Sequence, residues 1–126
     1  MLKILLVDDA PLQAFVRKSI LERRFSDVLR VTDAAEALCL VEQPQFARDL
    51  SLVVSQHHLA GIGGPAFVAE LRTRMPLLPV LVLGDSSDEN NEYSEDNVCF
   101  LPRPFLPEEM LSIATRMLTQ NERKSA

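Results

Sequence analysis

Apolar residues in this chain alternate between short continuous runs and longer stretches at helical spacing. Leu2 to Val7 is an unbroken β-type run, the pattern of a strand covered on both faces. Pro11 follows, and Leu12, Phe15, Val16, Ser19 and Ile20 recur at intervals that predict a helix to about Arg24 with those residues inward. Val28 to Val31 is a short second strand. Thr32-Asp33 opens a second helix; Asp33 followed by Glu36 reads as a capping box, Ala34, Ala37, Leu38 and Val41 form its stripe, and Pro44 ends it. Ser51 to Ser55 is a third strand, and a loop through Gly61-Ile62-Gly63-Gly64 leads to a helix opened by Pro65, with Phe67, Val68, Leu71 and Met75 inward. Pro79 to Leu83 and Val98 to Leu101 read as the fourth and fifth strands. Pro107 opens the last helix, with Met110, Ile113, Ala114 and Met117 on one side.

Between strands four and five the pattern fails. Residues 84–97 carry one large apolar side chain, Tyr93, so a helix there has almost no face to bury and is expected to be short or disordered. Five strands alternating with helices predict an α/β domain with a parallel sheet and helices on both faces. The domain is expected over residues 1–120, with 121–126 a frayed tail or the start of a linker.

Composition narrows the function classes. The chain has 126 residues, 47% apolar and 25% charged, enough for one domain with a real core. A net charge of −5 disfavours nucleic-acid binding and is compatible with a protein partner. No run approaches the roughly 20 apolar residues of a membrane span, and the first residues do not read as a secretory signal, so a cytoplasmic setting is expected. Cys39 and Cys99 have no metal-type spacing and are expected to be buried, reduced thiols.

Open parallel sheets place their sites beyond the carboxyl ends of the strands. Here those positions hold Asp8 and Asp9, then Ser55, Gln56, His57 and His58, then Gly84 and Asp85, then Pro102, Arg103 and Pro104. Adjacent carboxylates need a cation, and Arg103 is the nearest basic candidate; its guanidinium is expected to reach back to Asp8 or Asp9. His57-His58 lacks a third ligand in sequence and reads as loop. Ser55 should face away from Gln56. The glycines before Pro65 are a turn, not a dinucleotide fingerprint.

The order of these segments resembles the receiver domain of bacterial response regulators, of the chemotaxis-receiver type. Leu5-Leu6-Val7-Asp8-Asp9-Ala10-Pro11 resembles the family's opening, Thr32-Asp33-Ala34-Ala35-Glu36-Ala37-Leu38 its second-helix start, and Arg103-Pro104-Phe105 its Lys-Pro-Phe. The resemblance implies a flavodoxin-like (βα)5 three-layer sandwich with strand order 2-1-3-4-5. It also implies a two-component or phosphorelay setting. The departures fall on the chemistry. Leu59-Ala60-Gly61-Ile62-Gly63-Gly64 matches the loop after the phosphoryl-accepting Asp, which puts Gln56 at the acceptor position. The expected hydroxyl residue is Gly84 and the expected Lys is Arg103.

The resemblance therefore implies a degenerate phosphoryl pocket of Asp8, Asp9, Gln56, Gly84 and Arg103, with no catalytic residue and magnesium binding by Asp8 and Asp9 weak or absent. Phe100 stands at the family's switch aromatic, and with Asp85 and Tyr93 it marks an output face expected to be atypical. The expected function is a non-enzymatic signalling module acting through protein contacts: a histidine kinase, an output domain, another regulator or a second copy. The alternative is a working phosphotransfer receiver with a non-standard acceptor. A flavin or nucleotide carrier is disfavoured, because no glycine-rich phosphate loop follows the first strand.

Overall fold

The computed structural model describes residues 2–88, 93 and 96–125, the last five as backbone. The chain runs β1 (Lys3–Val7), α1 (Pro11–Leu21), β2 (Asp27–Val31), α2 (Ala34–Val41), α3 (Pro44–Asp49), β3 (Leu50–Gln56), α4 (Gly64–Arg74), β4 (Val80–Asp85), β5 (Val98–Arg103) and α5 (Pro107–Ser125). All five strands are parallel, in the order β2-β1-β3-β4-β5. This is the flavodoxin-like (βα)5 arrangement.

The apolar run Ile4–Val7 of β1 has a direct cause. Ile4 and Leu6 pack on one face of the sheet, with Ile20 and Leu21 of α1 and Met110, Leu111 and Ala114 of α5. Leu5 and Val7 pack on the other, with Ala34 and Ala37 of α2 and Phe67, Val68 and Leu71 of α4. Alternation along the strand thus feeds two helical layers, and each fully buried side chain of this size contributes about 1.5–3 kcal/mol.

Half of the capping box forms as predicted: the Asp33 carboxylate accepts the N–H of Glu36 at 2.8 Å, while the Glu36 carboxylate takes the Thr32 hydroxyl at 3.3 Å. Several boundaries differ from the reading of the sequence. Pro44 does not only end α2; it also opens the short α3, where its missing N–H costs nothing. Strands β4 and β5 extend two residues further, pairing Gly84 with Pro102 and Asp85 with Arg103. Helix α5 continues to Ser125, through residues expected to fray; Glu122, Arg123 and Lys124 favour helix. The expectation of a short or disordered helix in 84–97 falls partly outside the described residues. Within that stretch, residues 86–88 form a turn and bend, and Asn97 enters β5 through the left-handed region at φ 64°.

The largest correction concerns α1. Leu12, Phe15 and Val16, expected inward, are exposed, and the buried face is Ala14, Arg17, Ile20 and Leu21. A second correction is Cys39, which is exposed and not buried; Cys99 is half-buried, and both are free.

Candidate functional site at the carboxyl rim of the sheet

The rim starts where β1 ends. Asp8 is fully buried, and its backbone stays in the sheet, with its N–H on the Val31 carbonyl at 3.1 Å. A buried carboxylate needs compensation. Arg17, one turn beyond Gln13 on α1, supplies it with Nη1 donating to Asp8 Oδ2 at 3.0 Å. Gln13 Nε2 donates to both Asp8 oxygens at 3.3 and 3.2 Å, and the N–H of Ala10 donates to Oδ1 at 2.9 Å. The Asp8 carbonyl takes two further bonds from Arg30 of β2, at 3.0 and 2.8 Å. Burial pushes the Arg17 guanidinium below its ordinary range; Asp8 beside it pulls it back up, and nearby Arg103 lowers it further.

The sequence reading expected Arg103 to reach back to Asp8 or Asp9, and it does not. It binds Asp85 through Nε at 2.8 Å and Nη2 at 2.6 Å, and donates through Nη1 to Gln13 Oε1 at 2.7 Å. Arg103 and Asp85 are neighbours in the β4–β5 register, which brings them together more directly than Asp8. Gln13 links the two ion pairs, donating to Asp8 and accepting from Arg103.

Gln56, the last residue of β3, uses both ends of its amide. Oε1 accepts the Asp9 N–H at 2.7 Å, and Nε2 donates to the His58 carbonyl. A carboxylate offers acceptors only, so this pair of bonds belongs to an amide. Asp9 Oδ2 accepts the Ala60 N–H at 3.3 Å, tying the β1 end to the loop before α4. Ser55 is buried, with its hydroxyl donating to the Gln56 carbonyl at 3.0 Å.

Gly84 is enclosed. A Cβ built there would lie 2.7 Å from two ring atoms of Phe100 and 2.8 Å from the Asp88 carboxylate. The Phe100 ring thus packs where any side chain at position 84 would begin. It stacks on Tyr93, with centroids 6.0 Å apart and planes at 24°, and meets His57 edge-on at 5.8 Å. Phe100, Asp85 and Tyr93, assigned to the output face, here are tied into the rim.

His57 and His58 are not plain loop residues. His57 is buried, and its Nδ1 is 2.5 Å from the Tyr93 hydroxyl. His58 Nε2 is 2.9 Å from Asp88 Oδ1, and His57 Nε2 is 4.0 Å from the same oxygen. The Asp88 carboxyl is held below its usual range, first by the Asp85 N–H on its other oxygen at 2.7 Å and then by the His58 bond and the nearby imidazoles.

The sequence reading missed Gln13, Arg17, Arg30 and Asp88. The i, i+4 spacing of Gln13 and Arg17 was the available signal for the first two, because it puts both on one face of α1 just after Asp8. Nothing local pointed to Asp88, thirty residues after His58.

The sequence model of the response regulator receiver domain family matches residues 4–115. The chain belongs to this family. This receiver is similar to solved relatives in fold. One is the signal receiver domain of an HD domain-containing protein from Pseudomonas fluorescens Pf-5, at 23% identity and TM-score 0.84, covering 98% of this chain and 90% of that one. Another is a CheY-like response regulator receiver domain protein from Methanospirillum hungatei JF-1, at 21% identity and TM-score 0.82, covering 98% and 99%. The receiver domain of NtrX from Brucella abortus matches at 24% identity and TM-score 0.81, covering 93% and 98%. No curated protein matches the receiver's sequence. Receivers of this family are signalling modules rather than classical catalytic enzymes. No helix among the described residues is long and apolar enough to cross a membrane.

Proposed function

We propose that this receiver signals through protein contacts without aspartyl phosphorylation. The observation that carries the reading is the amide of Gln56. It stands where the family resemblance expects the acceptor, and both of its ends are engaged, one by the Asp9 N–H and the other by the His58 carbonyl. A carboxamide is a poor nucleophile toward a phosphoryl group, and this one is held as a structural bridge.

The residues do not suit the magnesium ion that the family uses. The ion demands hard oxygen ligands and usually more than one carboxylate. Both Asp8 oxygens are already taken by Arg17, Gln13 and the Ala10 N–H, and the guanidinium neutralises the charge an ion would meet. Gln56 adds no charge. Weak or absent magnesium binding follows.

A contact-based mode has a surface available. Leu12 and Phe15 are 78% and 71% exposed on α1, and an apolar groove beside them is lined by Val16, Ile20, Pro104 and Phe105. The partner classes it fits are a histidine kinase, an output domain or another regulator, with a second copy as a further case.

The test is incubation of the protein with acetyl phosphate, and separately with beryllofluoride, each with millimolar magnesium. Intact mass and near-ultraviolet spectra are expected to stay unchanged, and magnesium alone is expected to leave the melting temperature where it was. A stoichiometric acid-labile adduct overturns the reading in favour of a phosphotransfer receiver with another acceptor.

A further inference from the structure

We propose that His57, His58 and Asp88 form a binding site for a divalent transition-metal ion, with zinc the best chemical match. The proposal stands apart from the phosphorylation question, because it uses none of the acid-pair residues. The three side chains come from two places in the sequence, the β3–α4 loop and the turn after β4, and the sheet brings them together. Their ligand atoms lie within 4.8 Å of one another.

The geometry is close to what an ion needs. With zinc–nitrogen and zinc–oxygen bonds of about 2.0–2.2 Å, tetrahedral donors sit roughly 3.3 Å apart. Asp88 Oδ1 lies 2.9 Å from His58 Nε2 and 4.0 Å from His57 Nε2, on either side of that value. The His58 side chain is 68% exposed, so a small rotation can lengthen its 2.9 Å approach to Asp88, while the 4.0 Å between His57 and Asp88 closes by a shift of under 1 Å in the Asp88 carboxylate. Three protein ligands leave a fourth position for water or a group from a partner, and the exposed side of His58 is where it opens.

The surroundings hold the ligands in the way metal sites do. Metal-binding imidazoles use the second ring nitrogen on a fixed partner, which sets tautomer and orientation. His57 Nδ1 meets the Tyr93 hydroxyl at 2.5 Å, and its Nε2 lies 4.0 Å from Asp88 Oδ1. Asp88 Oδ2 accepts the Asp85 N–H at 2.7 Å, leaving Oδ1 toward both imidazoles. Gly64 lets this arrangement form: a Cβ there would collide with the Tyr93 hydroxyl and come within 2.8 Å of the His57 carbonyl. Two imidazoles and one carboxylate are a borderline donor set, suited to zinc, nickel or copper and unsuited to magnesium.

An ion at this point would tie the β3–α4 loop to the end of β4, beside Gly84 and Phe100. The site would thus give the receiver an input that needs no phosphoryl acceptor.

The test is calorimetric titration of the metal-stripped full chain with zinc chloride at about pH 7.5, where an ordinary imidazole is mostly neutral. One-to-one saturable binding is expected, with no heat from magnesium. His58→Ala and Asp88→Asn should each weaken zinc by more than tenfold, and Tyr93→Phe by about tenfold through loss of the support to His57. Asp27→Asn, at the opposite end of the sheet, should bind as the wild type does. Cobalt(II) should give visible absorption bands of a low-coordinate nitrogen–oxygen site, lost in His58→Ala. Circular dichroism of each variant separates lost binding from lost fold; His58 is exposed and Asp88→Asn keeps the side chain's shape and an acceptor oxygen for the Asp85 N–H, so those variants are expected to fold. Absence of zinc binding at 0.1 mM overturns the proposal. So does binding that His58→Ala and Asp88→Asn leave intact, since the ion would then sit elsewhere.

Discussion

Arg17 and Asp8 form a buried ion pair, 3.0 Å between Nη1 and Oδ2, with side-chain exposures of 5% and 0%. Removing either partner alone leaves a desolvated charge. Arg17→Met and Asp8→Asn are each therefore expected to lower stability, Arg17→Met by about 3–5 kcal/mol, read from urea unfolding. The double variant Arg17→Met with Asp8→Asn removes both charges and should recover at least about 1 kcal/mol relative to the sum of the single losses. Strict additivity would show that the two groups do not depend on each other.

Gln56 makes one bond that a carboxylate cannot make, the donation to the His58 carbonyl. Gln56→Glu keeps the chain length and loses the N–H, so it should destabilise by about 0.5–1.5 kcal/mol, the net worth of one solvent-accessible hydrogen bond. Gln56→Asp is shorter and also faces that carbonyl with an acceptor. It restores the family's acceptor type, yet it is expected to stay unlabelled by acetyl phosphate. Gly84 offers no hydroxyl, and Arg103 is committed to Asp85 and Gln13. Robust labelling of Gln56→Asp would show that these two positions matter less than the acceptor itself.

How far the sequence could be read follows from the range over which each interaction acts. The β1 run and the Asp33 cap on the Glu36 N–H are local, and both formed as their residues dictate. The strand order followed from the family resemblance. The face of α1 was misread because Leu12, Phe15 and Val16 have the spacing of a buried stripe, while the residue that turns inward is Arg17, drawn by a charge on another element. The rim positions Asp8, Gln56, Gly84 and Arg103 were legible as strand ends. Their pairings were not, because Asp8–Arg17, Gln56–Asp9 and His58–Asp88 depend on how helix and turn side chains converge in three dimensions.

Gly84 is fixed by contact with the Phe100 ring and the Asp88 carboxylate. Gly84→Thr is expected to push the ring out of its place against Tyr93 and His57, changing the near-ultraviolet spectrum and costing about 1–3 kcal/mol from overpacking. Phe100→Ala in the same chain frees space for the new side chain, so the second substitution should cost less in the Gly84→Thr background than in the wild type. Equal costs in both backgrounds would mean that ring and glycine are not in conflict.

The exposed apolar face of α1 gives the converse case. Leu12 and Phe15 are 78% and 71% exposed, and neither belongs to the two packed clusters of the core. If burial governs stability, Leu12→Ser and Phe15→Ser should each change it by no more than about 0.5 kcal/mol, although both remove large apolar side chains. Both should also reduce binding to whichever partner uses this face, measured by titration once a kinase or output domain is in hand. A loss of several kcal/mol in either variant would place these side chains in a core and return α1 to the face its apolar spacing suggested.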